Sequence, residues 1–127
     1  MFSNPARDYY QPGTDLTARA TTTITGKTFV SISGPRTGGS IQVTTCNGTT
    51  PIIGVAKYDT NQGGLVGVAR GAARILTITA GEAITAGQAV TSNQDGQVIP
   101  ATEGQQIAGW AIDNATPGED ALISLAH

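Results

Sequence analysis

The sequence predicts an all-β fold, a small barrel or sandwich entered from an extended N-terminal arm. Three observations carry that expectation. Thr and Gly dominate the polar and small residues, with 17 glycines in 127 residues; Thr is β-branched and suits strands, while Gly marks turns and bulges. Apolar residues alternate over short runs bounded by turn dipeptides. Strong helix formers never gather over a stretch long enough for an amphipathic helix.

The elements follow in chain order. Residues 1–20, MFSNPARDYYQPGTDLTARA, show no sustained alternation and carry two prolines and two of the three tyrosines, which predicts an extended arm. Ordering such a segment costs about 1–2 kcal/mol per residue of backbone entropy. Phe2, Tyr9, Tyr10 and Leu16 return about 1.5–3 kcal/mol each on full burial, so the arm is expected to order only against another surface. Pro5 and Pro12 restrict the free chain and lower that cost. Arg7, Asp8, Asp15 and Arg19 supply rim charges that set register. Residues 21–127 form the β domain. Thr28–Ser33 alternates and meets Gly34-Pro35, a turn signal. Gly38-Gly39 precedes the alternating run Ile41–Thr45. Asn47-Gly48 then predicts a hairpin to Pro51–Ala56. Asn61-Gln62-Gly63-Gly64 is a turn before Leu65–Ala69, and Ala73–Thr79 follows Gly71. Ala89–Ser92 and Gln97–Ile99 flank the turn Asn93–Gly96. Gln106–Asp113 and Ala121–Leu125 flank Thr116-Pro117-Gly118. Short, closely spaced strands of this kind build barrels and sandwiches. Ile24-Thr25-Gly26-Lys27-Thr28-Phe29 also echoes Ile84-Thr85-Ala86-Gly87-Gln88-Ala89-Val90, either as an internal duplication or as two similar turns entering strands.

Composition removes several functions. Only 13% of residues are charged, against about 25% in ordinary soluble domains, and the net charge is −2 with seven Lys plus Arg. That is no basic footprint for nucleic acid. No apolar run approaches the length that spans a bilayer, and the N-terminus lacks a basic-then-apolar export pattern. The single cysteine, Cys46, excludes an internal disulfide; it reads as a small residue at a strand end. The single histidine, His127, is terminal, so no Ser-His-Asp or Cys-His set is assembled by sequence. No zinc spacing and no calcium loop occur. Glu82, Glu103, Glu119 and Asp120 sit beside glycines in solvated turns. Gly34–Ser40 lacks a Gly-Lys-Thr ending and Gly64–Gly71 is not followed by a helix, so neither is a phosphate loop. No catalytic, cofactor or metal residue is assigned. Trp110, in the apolar run Ile107–Ile112, is expected at least half buried, in the core or at a subunit interface.

The order of signals resembles the capsid cement (head decoration) proteins of tailed phages. The carrying segments are Tyr10-Gln11-Pro12-Gly13-Thr14-Asp15-Leu16-Thr17-Ala18, Ile53-Gly54-Val55-Ala56, Thr79–Val90, Asp95-Gly96-Gln97-Val98, Ile107-Ala108-Gly109-Trp110-Ala111 and Gly118-Glu119-Asp120-Ala121-Leu122-Ile123. Trp110 has no counterpart in that pattern. The resemblance implies a β-tulip-like or small-barrel domain, made in the host cytoplasm, that forms homotrimers. These would sit on the outside of the virion head at three-fold and quasi-three-fold positions and clamp the major capsid protein against the pressure of packaged DNA. The trimer contact is expected to be head to tail. Other expectations are a head-fibre base or tail component, separated by copy number per particle, and a carbohydrate-binding module, which needs Phe29, Tyr58 and Trp110 exposed on one face. A small enzyme domain of β-clip type is opposed by the scarcity of histidine.

Overall fold

A computed structural model describes residues 3–7 and 9–127. The described residues form ten strands and no helix. β1 (Leu16–Ala20), β2 (Phe29–Thr37), β3 (Ser40–Thr45), β4 (Gly54–Ala56) and β5 (Leu65–Ala69) close a barrel in the order β1-β3-β2-β4-β5. β1 runs antiparallel to β5 and parallel to β3. The remaining strands are β6 (Ile75–Thr79), β7 (Ala89–Ser92), β8 (Val98–Pro100), β9 (Gly109–Ala111) and β10 (Asp120–Leu125), in the order β6-β10-β9-β7-β8. A single parallel bridge, Ala80 to Val98, links the two edges of this second sheet, which is therefore a second, incompletely closed barrel with no strand ladder at its seam. The all-β expectation holds.

The two sheets are one motif used twice. The sequences Leu16–Val30 and Leu76–Val90 align in register without a gap, keeping Leu16/Leu76, Thr17/Thr77, Ala20/Ala80, Ile24/Ile84, Thr25/Thr85 and Val30/Val90 identical. Hydrogen bonds repeat in pairs. Ile24 and Thr60 exchange N–H···O bonds, as do Ile84 and Ala115. Gly26 N donates to Asp59 Oδ1 and Ala86 N to Asn114 Oδ1, both at 2.8 Å. Lys27 N donates to the Ala56 carbonyl, and Gly87 N to that of Ala111. Lys27 (φ 60°) takes the left-handed conformation that glycine takes at Gly87 (φ 89°). The echo in the sequence is therefore a tandem duplication. The offset is 60 residues up to Val30 and Val90, and 55 from Val43 and Val98 onward. The first repeat thus carries five extra residues, all in the β2–β3 hairpin.

Leu16, Ala18, Ala20, Ile24, Val30, Val43, Ala56, Val66 and Val68 fill the first barrel. Five short strands enclose little volume, which is why alanines serve at two of the inward β1 positions. Ile78, Val90, Val98, Ala111, Ala121 and Ile123 fill the second. Phe29, Cys46, Ile52 and Val55, from the outer side of the first barrel, join that second core. β2 is consequently buried on both faces at Phe29, Val30 and Ser31.

Several local expectations are corrected. Leu16–Ala20 is a barrel strand rather than arm, so the β domain begins at Leu16; its inward Leu and Ala residues pack, but alanine carries little strand signal. Gly34-Pro35 lies within β2 at a register irregularity, where an exposed edge tolerates proline. The turn is Gly38-Gly39, with φ of 59° and 81°, as a two-residue hairpin closing Thr37 onto Ser40 requires. Asn47-Gly48 lies between β3 and β4 but does not fold them into a hairpin. Asn47 Oδ1 instead accepts from the Thr49 and Thr50 amides at 2.9 and 3.0 Å, and β4 pairs with β2 and β5.

Candidate interaction surface

The segment before β1 lies on the surface. Arg7, Tyr9, Tyr10, Pro12 and Asp15 are all exposed, Tyr9 most among the large hydrophobic side chains described, at 65%. Phe2 and Asp8 fall outside the described residues. Residues 11–15 are strapped to the domain by cations of the β5–β6 connection. Arg70 donates to the carbonyls of Gln11 and Thr14, the latter at 3.1 Å. Asp15 accepts from Arg74 at 2.6 Å and from Lys57 at 3.0 Å. These two hydrogen bonds hold the Asp15 carboxyl below its ordinary pKa. Gly71 is needed there because a Cβ would stand 2.9 Å from Gly13 Cα. Farther out, the Arg36 guanidinium stacks over the Tyr9 ring at 5.5 Å, a cation–π contact from the long hairpin to the arm.

Two residues assigned to the arm belong to the barrel. Leu16 is buried inside it, so it is no free anchor. Arg19 reaches across the wall and donates to the Gly63 carbonyl at 2.6 Å. Trp110 is not in the core. It points outward from β9 between Ala89 and Ser124 and is 48% exposed, because its inward neighbours on that strand are Gly109 and Ala111.

Outward positions also expose Leu65, Ile75 and Leu122, and Ile32 and Ile112 are exposed as well; sequence reasoning did not single these out. At Leu65, Ile75 and Leu122 the signal was an apolar residue at the polar phase of an alternating strand, visible only once strand register is known. Phe29 is fully buried, which removes it from any shared aromatic platform for sugar.

Among the described residues no cluster of three His, Cys, Asp or Glu could hold a metal ion. Cys46 ends β3, buried; burial pushes its thiol up, but hydrogen bonding with Ser31, the Gly48 backbone, Ser92 and Thr50 leaves its pKa below the ordinary value. His127 borders an open cleft of about 420 Å³ with Pro12, Gly13, Ile52 and Arg70, where the arm carbonyls engage the arginine. The arrangement offers contact surface: an aromatic arm, a projecting hairpin and outward apolar side chains.

Comparison with known proteins agrees. The phage cement protein family matches residues 10–125. Among solved structures, the N base of head fibre gp8.5 of bacteriophage phi29 is similar in fold, with a TM-score of 0.71, 22% sequence identity, and coverage of 88% of this chain and 92% of that one. No curated protein matches. With the family match running from the arm through the last strand, the chain belongs to the phage cement proteins, structural proteins of the virion that bind the capsid.

Proposed function

We propose that the protein decorates the outer surface of the head as homotrimers at three-fold and quasi-three-fold positions, holding neighbouring major capsid subunits together in the expanded shell against packaged DNA. The observation that supports it is an arm whose Tyr9 and Tyr10 stay largely exposed, with the Arg36 guanidinium over Tyr9, beside a domain whose barrels are already filled. Residues 3–10 would lie over an adjacent capsid subunit, with the tyrosines as apolar anchors and Arg7 as a rim charge. The strap at Arg70, Arg74 and Asp15 fixes where the arm leaves the domain, which limits the volume it searches. Three arms per trimer act together, so modest binding by each becomes firm attachment through effective concentration.

Deletion of residues 1–10 tests this, since it spares β1 and the strap. The melting temperature is expected to stay within a few degrees of wild type. Occupancy of undecorated, expanded heads in a co-sedimentation assay is expected to fall at least about tenfold, the equivalent of roughly 1.4 kcal/mol. Truncated protein that saturates heads at the wild-type concentration overturns the arm mechanism. The likeness in fold to a head-fibre base favours a second reading, in which the chain seats a fibre. Its copy number relative to the major capsid protein on purified heads separates the two.

A further inference from the structure

Within the chain, the first barrel docks on the second through two different faces. The outer side of β2 and β4 supplies one face. Phe29 N donates to the Gly96 carbonyl at 2.8 Å, Thr79 N to the Lys27 carbonyl at 3.0 Å, and Lys27 pairs with Asp120 at 2.8 Å. Val55 is sealed there, at 2% exposure. The outer edge of β6, the start of β10 and the β7–β8 turn supply the other face. A contact between unlike faces of two like repeats leaves one copy of each face uncovered at the ends of the tandem.

Those uncovered copies carry more apolar bulk than the covered ones. On the second barrel, Val55, Lys57 and Gly67 are replaced by Trp110, Ile112 and Leu122, which are 48%, 47% and 37% exposed. On the first barrel, Asp120 is replaced by Leu65, half exposed, beside Thr17 and Arg19 in the places of Thr77 and Thr79. The Lys27–Asp120 pair has become Gly87 and Leu65. Phe29 of the covered face becomes Ala89, yet the open faces gain Trp110, Ile112, Leu122 and Leu65 where the covered ones carry Val55, Lys57, Gly67 and Asp120, so large apolar side chains stand exposed to solvent.

We infer that the Trp110–Ile112–Leu122 face of one copy seats on the Leu65 side of the first barrel of a second copy, continuing between chains the contact that joins the two barrels within one. The first barrel is closed by β1–β3 pairing at Ala18–Ile41 and Arg19–Gln42, so this contact is made by side chains and not by added ladder bonds. Being heterologous, it closes into a ring when the rotation between copies allows. The inference rests on the self-association proposed above and gives it two defined surfaces.

Two full-length variants, Trp110→Glu and Leu65→Glu, each disable one face. Their masses are measured in solution alone and mixed. Wild type is expected to be oligomeric, and each variant alone monomeric, its association weakened roughly 30-fold or more as for a central contact. An equimolar mixture is expected to form a heterodimer and nothing larger, because each variant keeps the face the other has lost. A variant that retains the wild-type mass, a mixture of folded variants that stays monomeric, or a wild type monomeric at its highest soluble concentration overturns the contact. Should either variant fail to melt cooperatively, Ile112→Glu or Thr17→Glu replaces it on the same face. Heads take no part, so failure here is distinguishable from failure of the arm to bind them.

Discussion

Gly54 and Gly109 occupy the same position in the two repeats, and both are fixed by backbone approach rather than by turn geometry. A Cβ on Gly54 would stand 2.5 Å from the Ala69 carbonyl oxygen. One on Gly109 would overlap the Ser124 carbonyl and come within 2.9 Å of Ile123 Cγ2. Neither neighbour can give way without opening a strand pair. Gly54→Ala and Gly109→Ala are each expected to destabilise by about 1–3 kcal/mol, the cost of overpacking, read as a shift in denaturant midpoint at unchanged slope. Asp15 presents an electrostatic case. Its folded pKa lies below the ordinary carboxylate value because Lys57 and Arg74 hydrogen-bond the ionised form. A depressed pKa contributes stability above the unfolded value of about 3.9 and loses it as pH falls through the folded one. Acidification below about pH 4 is therefore expected to release the strap over residues 11–15. The group is partly exposed, so the loss in global stability stays under about 1 kcal/mol. Limited proteolysis at pH 7 and pH 3 reads the local effect, and Asp15→Asn should abolish the pH step.

At the scale of the element, the β2–β3 hairpin is what distinguishes the repeats. Its extra residues let β3 begin at Ser40 and run beside β1, so that Ala18 meets Ile41 and Arg19 meets Gln42. In the second repeat the Asn93–Gly96 turn delivers β8 only at Val98, and the seam keeps one bridge, Ala80 to Val98. Grafting Asn-Gln-Asp-Gly-Gln in place of Ser33–Gln42 is expected to open the first barrel's seam. Amide exchange at Arg19, whose N–H faces β3, should accelerate and stability fall by about 1 kcal/mol per ladder bond lost, with the remaining strands intact; unchanged protection at Arg19 would contradict this. Strands with large β-branched residues and a Gly turn on each side were legible in the sequence, as Leu65–Ala69 and Ala89–Ser92 show. β1 was not, because two of its inward residues are alanines whose burial depends on a barrel not visible locally. The Asn47-Gly48 dipeptide misled for a related reason. Its asparagine caps a loop through the side chain, and partner choice for β4 is set by β2 and β5. Of the interaction surface, Tyr9 and Tyr10 could be read from an aromatic-rich segment without alternation. Leu16 was misplaced because one residue of register decides which face a side chain takes, and the same register removes the core from the two places expected of Trp110, core or subunit interface.

For the whole molecule, the question is whether two barrels make one folding unit. The duplicated sequence allows two independent domains, but the packing does not. Phe29 starts a strand of the first barrel, yet its side chain belongs to the core of the second, with Cys46, Ile52 and Val55 beside it. Its amide is bonded to Gly96 of the second repeat and its carbonyl accepts from Cys46 of the first. In the second repeat the equivalent residue is Ala89, on an outer face that no third barrel covers. The phenylalanine is thus required by the junction and not by the barrel itself. Phe29→Ala is expected to cost about 3–5 kcal/mol, a large part of the stability of a domain this size. That cost should appear equally in both barrels. Hydrogen exchange at Val66 in the first and Ile123 in the second should lose the same protection, and unfolding should remain one transition by Trp110 fluorescence and by far-ultraviolet circular dichroism. If the variant loosened Ile123 alone and left Val66 protected as in wild type, the second barrel would be a dependent of the first rather than its equal partner in a single unit. The comparison bears on the proposed role, since a clamp would transmit load between capsid subunits only if its two halves yielded together.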